Sequence, residues 1–322
     1  MKKLFALILA LVMSLSLFAC GSSKTKMRFV TGGESGTYYA FGSTIAQHAT
    51  NNAGIDVVGL VGNGSKSNIE ELDAGNAELA FCQSDVMAYA YNGTNIFDKK
   101  IDCFSTVAAL YAEQVQIVTV DPSIKTVADL AGKNVSVGAA GSGVYFNAVD
   151  ILSAYGIGDL DADGKFTKIN ATYQSFGDSA DALKDGKIDA AFIVAGAPTT
   201  AIVDLSTTKP VSLVSLDDEH IDALLKSSPY YSKCTIKADV YGLDSDTTTV
   251  AVGAVILARD DVPADAIKAL CADIFDNASS LVSSHAKYGE LNLEYASSIT
   301  SVPYHAGAVE YFAEHNITVA GK

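Results

Sequence analysis

Apolar residues fall into short runs divided by glycine turns, and most runs lead into segments with helical spacing. Met27–Thr31 reads as a strand broken by Gly32-Gly33, followed by a helix whose apolar face carries Phe41, Ile45 and Ala49, with Thr37 placed as its cap. Leu79–Cys82 and Ala190–Val194 are further strands. Between them, Thr126–Gly132 has the form of a short capped helix closing at glycine. Asn134–Val137 is a strand, Gly138–Gly143 a turn, and Val144–Tyr155 a helix. Strands alternating with helices predict an α/β chain, with mainly parallel sheets covered by helices on both faces.

An ordered internal repeat refines this picture. Ser35-Gly36-Thr37-Tyr38-Tyr39 is echoed 107 residues later by Ser142-Gly143-Val144-Tyr145-Phe146. Leu72-x-x-Gly75-x-x-Glu78-x-Ala80-Phe81 is echoed 111 residues later by Leu183-x-x-Gly186-x-x-Asp189-x-Ala191-Phe192. Two related lobes explain both echoes. The β-rich runs Val115–Val120 and Thr247–Leu257 are natural crossing points between them. Residues 27–114 with 250–322 would form lobe one, and 115–249 lobe two.

The amino terminus has its own pattern. Lys2 and Lys3 precede an apolar stretch from Leu4 to Phe18 that is shorter than the roughly 20 residues of a membrane span. It reads as a signal peptide over residues 1–19. Leu17-Phe18-Ala19-Cys20-Gly21 resembles a bacterial lipobox, which would leave Cys20 carrying lipid and residues 20–26 as a tether. Loss of Lys2 and Lys3 takes the net charge from −15 to −17. So acidic a chain does not suit nucleic acid, which needs cations to neutralise phosphate. Only Arg28 and Arg259 are arginines, so a site for an anion cannot depend on an arginine clamp. The remaining cysteines, Cys82, Cys103, Cys234 and Cys271, lack metal-type spacing, and neither metal nor cofactor is expected.

Ligands of open parallel sheets bind beyond the carboxyl ends of the strands, where glycine turns lead into helices. A helix start offers unpaired N–H groups and a partial positive charge, worth about 0.3–2 kcal/mol for each interaction with an anion. Micromolar binding needs about 8 kcal/mol, so two facing helix starts with added side-chain donors are required. Ser35, Thr37 and Ser142 supply hydroxyls, and Gly36, Gly141 and Gly143 allow close backbone approach. Val144 follows them in the second copy. One of Tyr38 and Tyr39 should wall the cleft and the other should be core. Asn63, Ser65 and Asn68 form a third donor group, Gln83 and Asp85 follow a strand toward the cleft, and Gly196 and Pro198 do so in the other lobe.

These residues also carry a family likeness. Thr31-Gly32-Gly33-x-x-Gly36-Thr37-Tyr38-Tyr39 resembles the opening motif of the TAXI family of solute-binding proteins of TRAP transporters. The likeness continues through Gly64-Ser65-x-x-Asn68, Gln83-x-Asp85, Asp129–Lys133 and Val137–Gly143. It ends at Val302-Pro303-Tyr304-His305-Ala306-Gly307-Ala308-Val309-Glu310-Tyr311. It implies a two-lobed, type II-like periplasmic-binding-protein fold with two hinge strands. It also implies a glutamate-like or dicarboxylate ligand delivered to TRAP permease subunits. The lipobox would hold the receptor at the outer face of a bacterial membrane, and a monomer is expected. Glu34, and Val144 where the family often has threonine, depart from the pattern. The same fold would serve an ABC importer or a ligand sensor. An enzyme is disfavoured because His48, His220, His285, His305 and His315 form no metal pair, and Ser142 has no evident base.

Overall fold

The computed structural model describes residues 24–95 and 97–322; the signal peptide expected over 1–19 and the lipid expected on Cys20 lie outside them. The first elements are β1 (Lys26–Val30), α1 (Thr37–Asn52), β2 (Asp56–Leu60), α2 (Ser65–Asp73), β3 (Leu79–Gln83) and α3 (Ser84–Asn92), leading to the long strand β4 (Phe104–Thr119). Next come β5 (Asn134–Ser136), α4 (Val144–Ala154), β6 (Asn170–Thr172), α5 (Phe176–Lys184) and β7 (Ala190–Ala195). After these are α6 (Thr200–Ser206), β8 (Ser212–Leu213), α7 (Asp218–Ser227), β9 (Ser232–Ile236) and the second long strand, β10 (Thr247–Arg259). Helices α8 (Ala264–Asp276), α9 (Ala278–Leu281), α10 (Leu293–Ala296) and α11 (Ala306–Glu314) complete the chain. Lys26, counted with the tether in the sequence reading, is instead the first residue of β1.

The main sheet runs β2-β1-β3-β10-β4-β7-β5-β6. Its two ends are parallel triplets, β2-β1-β3 and β6-β5-β7, each built from strand–helix–strand units. The long antiparallel strands β4 and β10 join them and change partners along their length. Strand β4 pairs with β10 from Phe104 to Gln114, and with β7 from Gln114 to Thr119. Strand β10 pairs with β9 over Thr247–Ala251 and with β3 over Ala254–Ala258. The β-rich run Val115–Val120 is thus only the far part of β4. Its first eight residues, from Phe104, are buried throughout, so they show no alternation to mark them as a strand.

Each triplet carries apolar packing on both faces, which makes two lobes with separate cores. In the first, Phe29, Phe41, Phe81, Ile256 and Tyr311 pack on one face, and Ile69, Leu72, Met87 and Phe104 on the other. In the second, Ile117, Val135, Ile151 and Phe192 oppose Val118, Leu183, Ile193 and Ile202. Phe81 lies between Phe29 at 5.1 Å and Tyr38 at 4.6 Å, so core packing continues up to the mouth of the first lobe.

The internal repeat has a physical basis in turns. Gly36 is the N-cap of α1 and Gly143 that of α4. Gly75 (φ 72°) and Gly186 (φ 68°) occupy the left-handed region just after α2 and α5, where a glycine can end a helix without strain, and β3 and β7 follow. Thr37, expected as a cap, is instead the first helical residue, because Gly36 has the extended backbone of a cap (φ −112°, ψ 161°). In the carboxyl-terminal motif, Tyr304 is fully buried beside β4, and His305 caps α11 by accepting the Gly307 N–H at 3.3 Å.

Candidate ligand-binding cleft

Between the lobes lies a cavity of about 360 Å³. One wall comes from the loop and first turn of α1 (Gly32–Tyr38), the start of α2 (Val61–Ser65), and Gln83 at the end of β3. The facing wall comes from Ala139, Ser142-Gly143-Val144 at the start of α4, Ser175-Phe176-Gly177 at the start of α5, and Val194-Ala195 at the end of β7. Glu113, from the crossing strand β4, closes the floor.

Four helix starts therefore meet at one space. Three begin at glycine caps, Gly36, Gly64 and Gly143, none of which receives a side-chain capping bond. A bare cap leaves first-turn N–H groups to find partners elsewhere, and the helix dipoles make those groups attractive to negative charge. In contrast, α5 is capped by its own Ser175, which accepts from the Asp178 N–H. Gly64 has φ 103°, a region hostile to side chains, and a Cβ there would stand 2.9 Å from the Cα of Ser142. Glycine is required here by both conformation and close approach.

Among the described residues, no arginine or lysine lines the cavity. Arg28 is committed to Glu78 and the Gly75 carbonyl, and Arg259 to Asp261. The charged residues of the wall are Glu34 and Glu113. Glu34 is exposed, whereas Glu113 is 2% exposed and accepts a hydrogen bond from the Tyr38 hydroxyl. Burial pushes the Glu113 carboxyl well above the usual carboxylate range, which favours its uncharged form. Five buried side-chain atoms have no hydrogen-bond partner among the described residues, and two of them belong to the cavity lining: Gln83 Oε1 on one wall and Ser142 Oγ on the other. Each such group costs about 1–3 kcal/mol when left unpaired, so the Ser142 hydroxyl gains from a guest that accepts and Gln83 Oε1 from one that donates.

The lobes touch around this space. Thr37 Oγ1 donates to the Gly196 carbonyl at 2.8 Å, the Ser67 N–H to Gly141 at 3.0 Å, and the Ala201 N–H to Ser35 at 3.2 Å. Gln83 Nε2 donates to Asn147 Oδ1 at 3.1 Å, and Lys287 Nζ to the Ala197 carbonyl at 3.0 Å.

Of the residues expected from sequence, Ser35, Gly36, Thr37, Tyr38, Asn63, Ser65, Gln83, Ser142, Gly143 and Val144 line the cavity. Tyr39 does not; it is half-buried on the next face of α1 and belongs to none of the four core clusters. Asn68 lies behind the wall, where its amide donates to the Thr31 and Phe81 carbonyls. Asp85 is fully buried below Gln83. Gly141 and Gly196 contribute carbonyls to the contacts between lobes, and Pro198 is exposed beyond them. Glu113 and Phe176 were not anticipated. Glu113 had a signal, a lone carboxylate in a long apolar run, and the Ser175-x-x-Asp178 pattern marked the start of α5.

Solved structures share this architecture. A protein described as a periplasmic transporter gives a TM-score of 0.52 at 15% identity, covering 92% of this chain and 95% of that one. A protein of Bordetella bronchiseptica gives 0.51 at 16% identity, covering 90% of this chain and 89% of its own. The periplasmic aliphatic sulphonate binding protein of Escherichia coli is more distant in shape, with 0.44 at 16% identity over 91% of this chain and 94% of that one. At these identities the shared feature is the fold. The family assignment comes from sequence: the model described as NMT1-like family matches residues 29–315, nearly everything from β1 to the end of α11, and the chain belongs to that family.

Proposed function

We propose that this chain is an extracytoplasmic solute-binding protein, of the TAXI type, that captures a small organic anion for a TRAP-type permease. The two lobes are those divided at about residues 115 and 250, with β4 and β10 as hinge strands. Cys20 carries the lipid that holds the receptor at the membrane. One observation carries the anion reading: three helix starts with glycine caps converge on one cavity, and no arginine or lysine among the described residues lines it. Backbone amides and dipoles then replace the missing arginine.

A glutamate-like or dicarboxylate molecule suits both the size and the lining. One carboxylate meets the amides of α1 and α4, Ser35 and Ser142 add donors, and Val61, Val144, Phe176 and Val194 cover the carbon chain. The lobes close over the guest and exclude water by hinge motion at the two long strands. The protein of similar fold described as a periplasmic transporter favours binding over catalysis.

A thermal-shift screen of amino acids, keto acids, dicarboxylates, sugars and cations tests the reading, because a ligand of the folded state raises the melting temperature by mass action. Shifts by carboxylates are expected, and shifts confined to neutral sugars or cations would refute it. Gene neighbours separate the transporter types: a large membrane permease fits TRAP, and an ATPase fits an ABC importer.

A further inference from the structure

Behind the cavity floor the two lobes share a buried polar cluster, of which Gln83 alone lines the cavity among the described residues. Asn147, on the second lobe's α4, is fully buried. Its Oδ1 accepts from Gln83 Nε2 at 3.1 Å. Its Nδ2 donates to Asp85 Oδ2 at 3.1 Å and to the Tyr231 hydroxyl at 2.9 Å. Tyr231 in turn donates to Asp150 at 2.9 Å. Gln83 and Asp85 belong to the first lobe, and Asn147, Tyr231 and Asp150 to the second, so the cluster exists only when the lobes meet.

The directions of these bonds matter. Because both Asp85 and Tyr231 accept from Asn147 Nδ2, the amide oxygen of Asn147 must face Gln83. Gln83 then turns its nitrogen inward, and its oxygen is left against Gly143 at the cavity wall without a partner.

We infer that Asn147 is a positioning residue for capture: by docking between Gln83, Asp85 and Tyr231 it makes lobe closure and the orientation of the Gln83 carboxamide one event. This rests on reading the cleft as the place of capture. A further consequence concerns protons. Asp85 is wholly buried in this arrangement, and that burial pushes its carboxyl up to about 7, with Asp150 adding to the shift. The groups facing it are Cys82 on β3, Tyr89 on α3, Glu113 on β4, Asp150 on α4, and Tyr230 and Tyr231 ahead of β9. All of these are anionic when charged, so none of them stabilises an Asp85 carboxylate.

With the lobes apart, Asp85 returns toward the ordinary value of about 3.9. A carboxyl whose value is raised in the closed form favours that form below its shifted value, and the advantage is lost as pH rises to it. The closed-to-open ratio should fall about tenfold per pH unit between about pH 5 and 7, and level off above that.

The test needs no ligand, so it can fail while the anion reading stands, and the reverse. Small-angle X-ray scattering of the parent chain, Asp85→Asn and Asn147→Ala is recorded from pH 5 to 8, with melts to confirm folding. The parent should expand as pH rises to 7. Asp85→Asn keeps a partner for Asn147 without a proton to lose, and its radius of gyration should not change with pH. Asn147→Ala should be expanded at every pH. A pH-independent radius in the parent overturns the inference, as does the parent's trend persisting in Asp85→Asn, or an Asn147→Ala chain as compact as the parent at pH 5. If Asn147→Ala does not fold, the other two chains decide.

Discussion

Replacing Gly143 with alanine adds one methyl group at the seam between the lobes. The backbone there has φ −69°, ordinary for alanine, so the second lobe should fold as before. Loss of unfolded-chain freedom stabilises such a substitution by about 0.4–1 kcal/mol. The new Cβ, however, would stand 1.7 Å from Gln83 Oε1, 2.5 Å from its Cδ and 3.0 Å from Ser65 Oγ, all across the cleft. Gln83 has to swing aside to allow closure, giving up its 3.1 Å bond to Asn147 inside a buried cluster. An amide stranded in this way costs about 1–3 kcal/mol. Affinity for any anion that raises the melting temperature of the parent should therefore fall roughly 5- to 150-fold. Isothermal titration of parent and Gly143→Ala with that anion measures the loss, and melting without ligand measures folding. Unchanged affinity would mean that Gln83 and Gly143 do not meet in the bound state. A lower melting point without ligand would mean that the methyl group disturbs the second lobe itself. Either result refutes the reasoning.

Three other outcomes follow from the same geometry. Ser142→Ala combined with Ser35→Ala should weaken anion binding by roughly tenfold or more, at about 1 kcal/mol for each lost bond, while melting without ligand stays level; titration checks this, and equal affinity would move the site elsewhere. Glu113→Gln should flatten the pH dependence of melting. The parent's buried carboxyl favours the fold while protonated and loses that contribution as pH rises above the carboxylate range, so parallel melting curves would show that Glu113 is not held neutral. Phe81→Ala, which removes a fully buried ring stacked between Phe29 and Tyr38, should cost about 3–5 kcal/mol in denaturant unfolding, and a cost under about 1 kcal/mol would contradict the packing described.

Much of the wall was legible because glycine leaves a local signature. Gly36 and Gly143 each follow a strand and open a helix, and that order alone places them at a carboxyl-end turn. Short-range periodicity likewise gave α4 to within a residue and identified the buried face of α1. The same logic misplaced Tyr39, Asn68 and Asp85, since a residue next to a wall in sequence can point behind it. Asn68 does so because its amide donates to the Thr31 and Phe81 carbonyls.

The two-lobed α/β plan, the glycine turns and the shortage of arginine are written in the order of residues. These are properties of single residues and their near neighbours, and the chain cannot fold without respecting them. That Phe176 and Glu113 complete the cavity, that Gln83 faces Asn147, and that three uncapped helix starts share one space emerges from the folded chain. Those relations join residues far apart in the chain, through the partner changes of β4 and β10, and such long-range pairing leaves no mark in local hydrophobic period or turn chemistry.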